Sequence, residues 1–161
     1  MQTAIHLINR TERKMAIRNI LKHGDPALRK ISRTVLNFDE RLAQTLDDMR
    51  DTMYEAEGCG LAAPQIGVLR RYCIIDVGDG VIELVNPVII EKEGEQFETE
   101  GCLSVPGNYK TTKRPLKVTV RAQDRNGNKI IVSGEGLKAR ALCHEIDHLD
   151  GILFLDRAIK E

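Results

Sequence analysis

The stretch LKARALCHEIDHL, residues 137–149, constrains this chain more than any other. On a helix turning about 100° per residue, Leu137, Ala141, His144 and His148 share one face, and Leu142, Ile146 and Leu149 lie opposite. A helix apolar on two sides must be covered on two sides. The spacing therefore predicts an interior helix that ends at Gly151 and holds two imidazoles inside the protein.

The rest of the chain supplies the cover. Residues 38–57 read as an amphipathic helix with Leu42, Leu46, Met49, Met53 and Ala56 on a single face. Asn37 with Glu40 resembles a capping pair, and Gly58 offers a stop. Runs rich in Val and Ile at 71–77, 81–85, 88–92 and 116–122 read as strands, and the Asn-Gly signal in DRNGN (124–128) predicts a hairpin into 129–133. Helix, strand cluster and helix make an α+β arrangement, with mixed or antiparallel strands packed around the buried helix. The length of 161 residues suits one domain. Lys plus Arg equals Asp plus Glu, 24 each, so the basic excess of a nucleic-acid binder is missing. Apolar runs fall far short of the ~20 residues that a membrane helix needs.

Within the helix, residues 144–148 spell HEIDH, an H-E-x-x-H pattern. Histidines four apart lie one turn apart, so two ring nitrogens can converge on one metal ion at about 2.0–2.1 Å. Glu145 sits beside that line, placed to take a proton from a water on the ion and pass it to a leaving amine. Asp147 is either a solvated helix charge or a group orienting its neighbours. Two histidines leave a catalytic metal short of a ligand. Only 13 residues follow His148; among them Asp150 is too near to point at the same site, while Asp156 is allowed by spacing. Upstream, the segment EGCLSVPG (100–107) presents Cys102 among glycine and proline, as a loop would. A thiolate, two imidazoles and a water make an open tetrahedral site. Cys59, Cys73 and Cys143 read as small buried apolar residues. A third segment, GCGLAAPQIG (58–67), follows the first helix; its early glycines permit close backbone approach, and Gln65 offers an amide donor for an oxyanion.

GCGLAAPQIG, EGCLS and HEIDH, in this order and spacing, resemble the three signature motifs of the peptide deformylases, and the resemblance runs from about Met15 to the end. It implies a peptide-deformylase-like α+β fold and a metal-dependent hydrolase that removes the N-formyl group from the initiator methionine of nascent polypeptides, releasing formate. By that resemblance Cys102, His144 and His148 hold the metal, and Glu145 is the general base and acid. Gln65 and the backbone N–H of Leu103 hold the formyl oxygen. Gly60 is the strand edge against which substrate pairs, and Leu103, Leu137, Arg140 and Ala141 surround the methionine. Glu100 and Arg114 match an ion pair that steadies the Cys102 loop. The family uses Fe(II) in cells, with Zn(II), Ni(II) or Co(II) as substitutes. A general HExxH peptidase with a downstream ligand, and a relative whose metal is structural, are the alternatives.

Two departures accompany the resemblance. Cys143 stands where many members carry Gln, and the chain is shorter after His148 than members whose C-terminal helix docks on the ribosome. Ribosome association is left open. Residues 1–14 read as an extension or leader outside a single catalytic domain, 15–161, although three basic residues against one acidic also fit a weak transit segment. A bacterial cytoplasm is the simplest location, with an organelle the alternative.

Overall fold

The structure is a computed structural model that describes residues 16–160. The 1–14 segment therefore lies outside the described residues. Two α-helices, α1 (Glu40–Glu55) and α2 (Leu137–Leu149), pack against a five-stranded sheet of order β1-β2-β3-β6-β7. Its strands are β1 (Gly60–Ala62), β2 (Tyr72–Ile75), β3 (Ile82–Glu93), β6 (Lys117–Gln123) and β7 (Lys129–Glu135). A separate hairpin pairs β4 (Gln96–Cys102) with β5 (Val105–Arg114). Every ladder between these strands is antiparallel, which resolves the mixed-or-antiparallel expectation.

Alternation along β2 explains the layering. Cys73 and Ile75 face α2 and join Leu84, Val118, Val120, Leu142, Ile146 and Leu149 in one core. Tyr72 and Ile74 face the other way and join Leu42, Leu46, Met49 and Met53 of α1 in a second core. All four β2 residues are buried, so this short strand is covered by a helix on each face. Burying a side chain such as Leu142, Leu149 or Met49 contributes about 1.5–3 kcal/mol each. The two-sided burial predicted for α2 is observed from Ala139 to Leu149, with Arg140 and Asp147 only partly covered and Leu137 exposed at the helix start.

Several local expectations need correction. The cap of α1 is Asp39, whose carboxylate accepts the N–H of Leu42 at 3.0 Å, and not Asn37. Its stop is Glu57, in the left-handed region at φ 56°, rather than Gly58. Gly58 N–H bonds back to Met53 O at 3.0 Å and Glu57 N–H to Tyr54 O at 3.0 Å, a Schellman ending in which the glycine came one residue late. The runs at 81–85 and 88–92 form one strand, β3, with a bulge between Val85 and Val88. There Asn86, at φ 51°, exchanges two hydrogen bonds with the backbone of Val35. The segments read as loops around 58–67 and 100–107 also contain strands. β1 is too short to carry a pattern, and β4 and β5 are mostly polar because the hairpin lies on the surface. The hairpin at 124–128 forms as predicted between β6 and β7.

Candidate functional site

Cys102 and Val105 are paired residues, so Leu103 and Ser104 form a two-residue turn at the tip of the β4–β5 hairpin. That turn carries the Cys102 thiol to α2. Cys102 Sγ lies 3.4 Å from His148 Nε2, and the donor atoms of Cys102, His144 and His148 all lie within 4.8 Å of one another. Among the described residues these three form the group able to hold a metal ion. Asp156, the downstream candidate, is occupied elsewhere: Arg29 Nη1 donates to it at 2.5 Å and Leu153 N–H at 3.0 Å.

Around this group the side chains are fixed from behind. Glu100 Oε1 meets His144 Nδ1 at 2.9 Å, which leaves Nε2 of that ring for the site. The His144 ring also stacks on Phe154, with centroids 6.1 Å apart. Glu100 accepts from Arg114 Nε at 2.8 Å and Nη2 at 3.0 Å, and from the Thr112 hydroxyl. Arg114 Nη1 reaches Asp147 at 2.6 Å, and Arg157 holds the same carboxylate through two bonds. Asp147 is thus a bridging group, and the solvated alternative falls away. Burial alone would raise the Glu100 carboxyl, but the bonds from His144, Arg114 and Thr112 hold it well below the usual carboxylate range.

Charge in the site suits a cation. Burial would pull both imidazoles down, and it does so for His148, aided by the positive charges on His144 and Arg114. His144 is instead held well above its ordinary range against that burial, by Glu145, Cys102 and Glu100. A buried point ringed by a thiol and two carboxylates stabilises positive charge, and the soft sulfur with two nitrogens is a transition-metal donor set. The residues present therefore fit a divalent metal.

Glu145 is buried, and its Oε1 has no hydrogen-bond partner. Burial pushes its carboxyl up to about 7. A Cβ built on Gly60 would stand 2.4 Å from Glu145 Oε2, so the carboxylate occupies the space that a side chain at 60 would fill. Gln65 is buried in the turn after β1, and the Ala62 N–H donates to its Oε1 at 2.9 Å. That bond fixes the amide so that Nε2 faces Ser104 Oγ at 3.1 Å and Cys102 Sγ at 3.6 Å.

A cavity of about 470 Å³ opens in front of this cluster. Gly60, Gln65, Cys102, Leu103, Leu137, Arg140, Ala141, His144 and Glu145 all line it, while His148 sits behind. β1 is the terminal strand of its sheet, and its first residue, Gly60, lines the cavity. Cys59, expected to be buried, is exposed on the same wall, because it precedes β1 on the side where no strand covers it. Cys73 and Cys143 are buried as expected, and burial pushes the Cys143 thiol up to about 11. Sequence reasoning passed over Ser104, fully buried beneath Gln65, and Arg157, which closes the Asp147 network. Ser104 stood within EGCLS, but nothing in a lone serine announces an acceptor for an amide. No described helix is long and apolar enough to cross a membrane.

Comparison with known proteins agrees with this arrangement. Residues 17–161 match the family model for polypeptide deformylase. The chain is 60% identical over 146 residues to the peptide deformylase of Caldicellulosiruptor bescii, covering 91% of this chain and 88% of that one. The crystal structure of a peptide deformylase from Legionella pneumophila superposes with a TM-score of 0.87 at 52% identity, over 89% of this chain and 87% of that one. A peptide deformylase from Synechococcus elongatus, solved in complex with actinonin, gives a TM-score of 0.87 at 39% identity, over 92% and 82%. The similarity takes in both helices, both sheets and all three motifs, and on that extent the chain belongs to the peptide deformylase family of enzymes.

Proposed function

We propose that this chain removes the N-formyl group from the initiator methionine of nascent polypeptides and releases formate. The observation that carries the reading is the mutual convergence of Cys102, His144 and His148, with Cys102, His144 and the buried Glu145, whose Oε1 has no hydrogen-bond partner, lining one cavity beside the terminal strand β1. Cys102, His144 and His148 would hold one divalent metal, Fe(II) in cells, with Zn(II), Ni(II) or Co(II) as substitutes. When bound, that ion supplies a Lewis acid that lowers the pKa of water and polarises the formyl oxygen.

Each protein group then has a task. The N-terminal end of the substrate pairs with the outer edge of β1 at Gly60, as an added strand. Its methionine side chain lies among Leu103, Leu137, Arg140 and Ala141. Glu145 takes the proton of the attacking water, and a carboxyl raised to about 7 is suited to accept it near neutral pH. The oxyanion that forms on the formyl carbon is held by Gln65 Nε2 and the Leu103 N–H. Glu145 returns the proton to the leaving amine as the C–N bond breaks, which yields formate and a free N-terminus. Residues 15–161 work as a single catalytic domain in this reading, in a bacterial cytoplasm, with nascent chains as the partner.

The test is formate release from formyl-Met-Ala by anaerobically prepared, Fe(II)-loaded protein. Stoichiometric formate with an intact Met-Ala bond is expected. Cleavage of the Met-Ala bond without formate, surviving Cys102→Ser, would instead indicate a general HExxH peptidase.

A further inference from the structure

The five-stranded sheet has a second terminal strand, β7, at the end opposite β1. Its hydrogen-bond phase follows from the bonds that flank it. Asp124 N–H donates to Asn128 O at 2.9 Å and Gly136 N–H to Leu116 O at 2.9 Å, on the register that pairs Ala122 with Ile130 and Val120 with Val132. Bonded and non-bonded pairs alternate along an antiparallel ladder. The even-numbered residues of β7 therefore bond to β6, and the backbone N–H and C=O groups of Lys129, Ile131, Ser133 and Glu135 point away from it along the free edge. No proline interrupts the strand and its register with β6 is unbroken, so the edge is a continuous template for one more strand.

What such an edge accepts is set by the side chains that come opposite. Lys129 and Glu135 stand at the two ends of β7, both exposed, and neither has an ion-pair partner among the described residues. An antiparallel second copy of β7 centred on Val132 brings Lys129 opposite the partner's Glu135 and Glu135 opposite the partner's Lys129. Ile131 then lies opposite the partner's Ser133, and each of these odd-numbered pairs exchanges two backbone bonds. On the α2 face, Val132 and Ile130 are half-buried at the margin of the core, and Val132 meets the partner's Val132 across the axis. On the other face Ile131 is 61% exposed and lies diagonal to the partner's Ile131, within side-chain reach. Sliding the copy by two residues, the smallest shift that keeps the same groups facing, parts both charge pairs and shortens the overlap. An in-register parallel copy sets like charge beside like. We propose that β7 is a dimerisation edge, on which a second copy of this chain adds its own β7 antiparallel, with Lys129 paired to the partner's Glu135 and the sheet continued across a two-fold axis at Val132. This goes beyond the deformylase reading and does not rest on it.

Sedimentation equilibrium of the full chain at pH 7 and low salt, from about 1 μM to about 1 mM, tests the proposal. The parent is expected to show a reversible monomer–dimer equilibrium. In Lys129→Glu or Glu135→Lys, like charges oppose each other at both ends, and the dissociation constant rises about 3- to 30-fold. Mixing these two single variants, or combining both substitutions in one chain, restores opposite charges and returns the constant to within about 2-fold of the parent. Ser133→Pro removes an N–H that faces the edge and leaves the bonds to β6 in place, so it abolishes the dimer while circular dichroism shows an unchanged fold. If that variant unfolds, the charge variants, at exposed positions, decide the matter. A parent that stays monomeric up to about 1 mM, a dimer that the single variants leave unchanged, or a mixture that fails to recover it overturns the proposal. Formate release does not enter the measurement, so the result is separate from that of the deformylase test.

Discussion

Replacing Arg114 by Met tests whether the charged network behind His144 is structural support for the site. The guanidinium is 3% exposed and donates to Glu100 at 2.8 and 3.0 Å and to Asp147 at 2.6 Å. A hydrogen bond to a charged group is worth about 1.5–3 kcal/mol. The bond to Asp147 is largely replaceable, since that side chain keeps Arg157 at 3.0 and 3.1 Å and is 13% exposed. The two bonds to Glu100 are not, because its side chain is only 8% exposed and keeps only Thr112 and His144. Removing one partner of a buried pair costs about 3–5 kcal/mol, and that range is the expected loss here. Urea unfolding of metal-free protein at pH 7 reads it directly, and thermal unfolding should fall by about 10 °C or more. The double variant with Glu100→Gln should recover at least about 2 kcal/mol of the expected sum, because the stranded charge is gone. A loss below about 1 kcal/mol, or strict additivity, would show that water satisfies Glu100 and that the network does not brace His144.

Other substitutions probe separate links. Gly60→Ala places a Cβ 2.4 Å from Glu145 Oε2; displacement of the carboxylate should lower kcat/KM about 100-fold or more with metal content unchanged, and wild-type turnover would contradict the packing. Glu57→Gly relieves a left-handed residue in the Schellman ending and should stabilise the protein by about 1 kcal/mol in calorimetry. The Arg29 bond holds Asp156 below its usual range, so its contribution is present above the unfolded pKa, about 3.9, and disappears as pH falls through the folded value. Asp156→Asn should therefore lower the urea midpoint slightly at pH 7, by well under about 1 kcal/mol for so exposed a pair, and the difference should shrink as pH falls below about 3.9.

The chemistry of this chain was more legible in its sequence than its sheet. HEIDH sits on a helix that needs two apolar faces, and Leu142, Ile146 and Leu149 against His144 and His148 declare both. Cys102, Gln65 and Gly60 stand in short segments whose order carried the family resemblance. What the residues alone did not disclose is how the hairpin holds Cys102. The strands QFETEGC and VPGNYKTTKR alternate polar with polar, since one face is solvent and the other is the Glu100–Arg114 network. Charge satisfied by charge leaves no hydrophobic period to read. Cys59 failed for a related reason: its exposure follows from β1 being a terminal strand, a property of the sheet order and not of GCGL. Glu57 at a position that favours glycine is a local compromise, visible only once Met53 and Gly58 are seen bonded.

The most direct test of the central claim compares formate release by the Fe(II)-loaded parent with that of Glu145→Ala at equal measured metal content. Formyl-Met-Ala turnover should fall by several orders of magnitude in the variant while metal stays bound through Cys102, His144 and His148. Equal turnover in both proteins would mean that the partnerless carboxylate does not carry the proton, and the account built on it would be wrong.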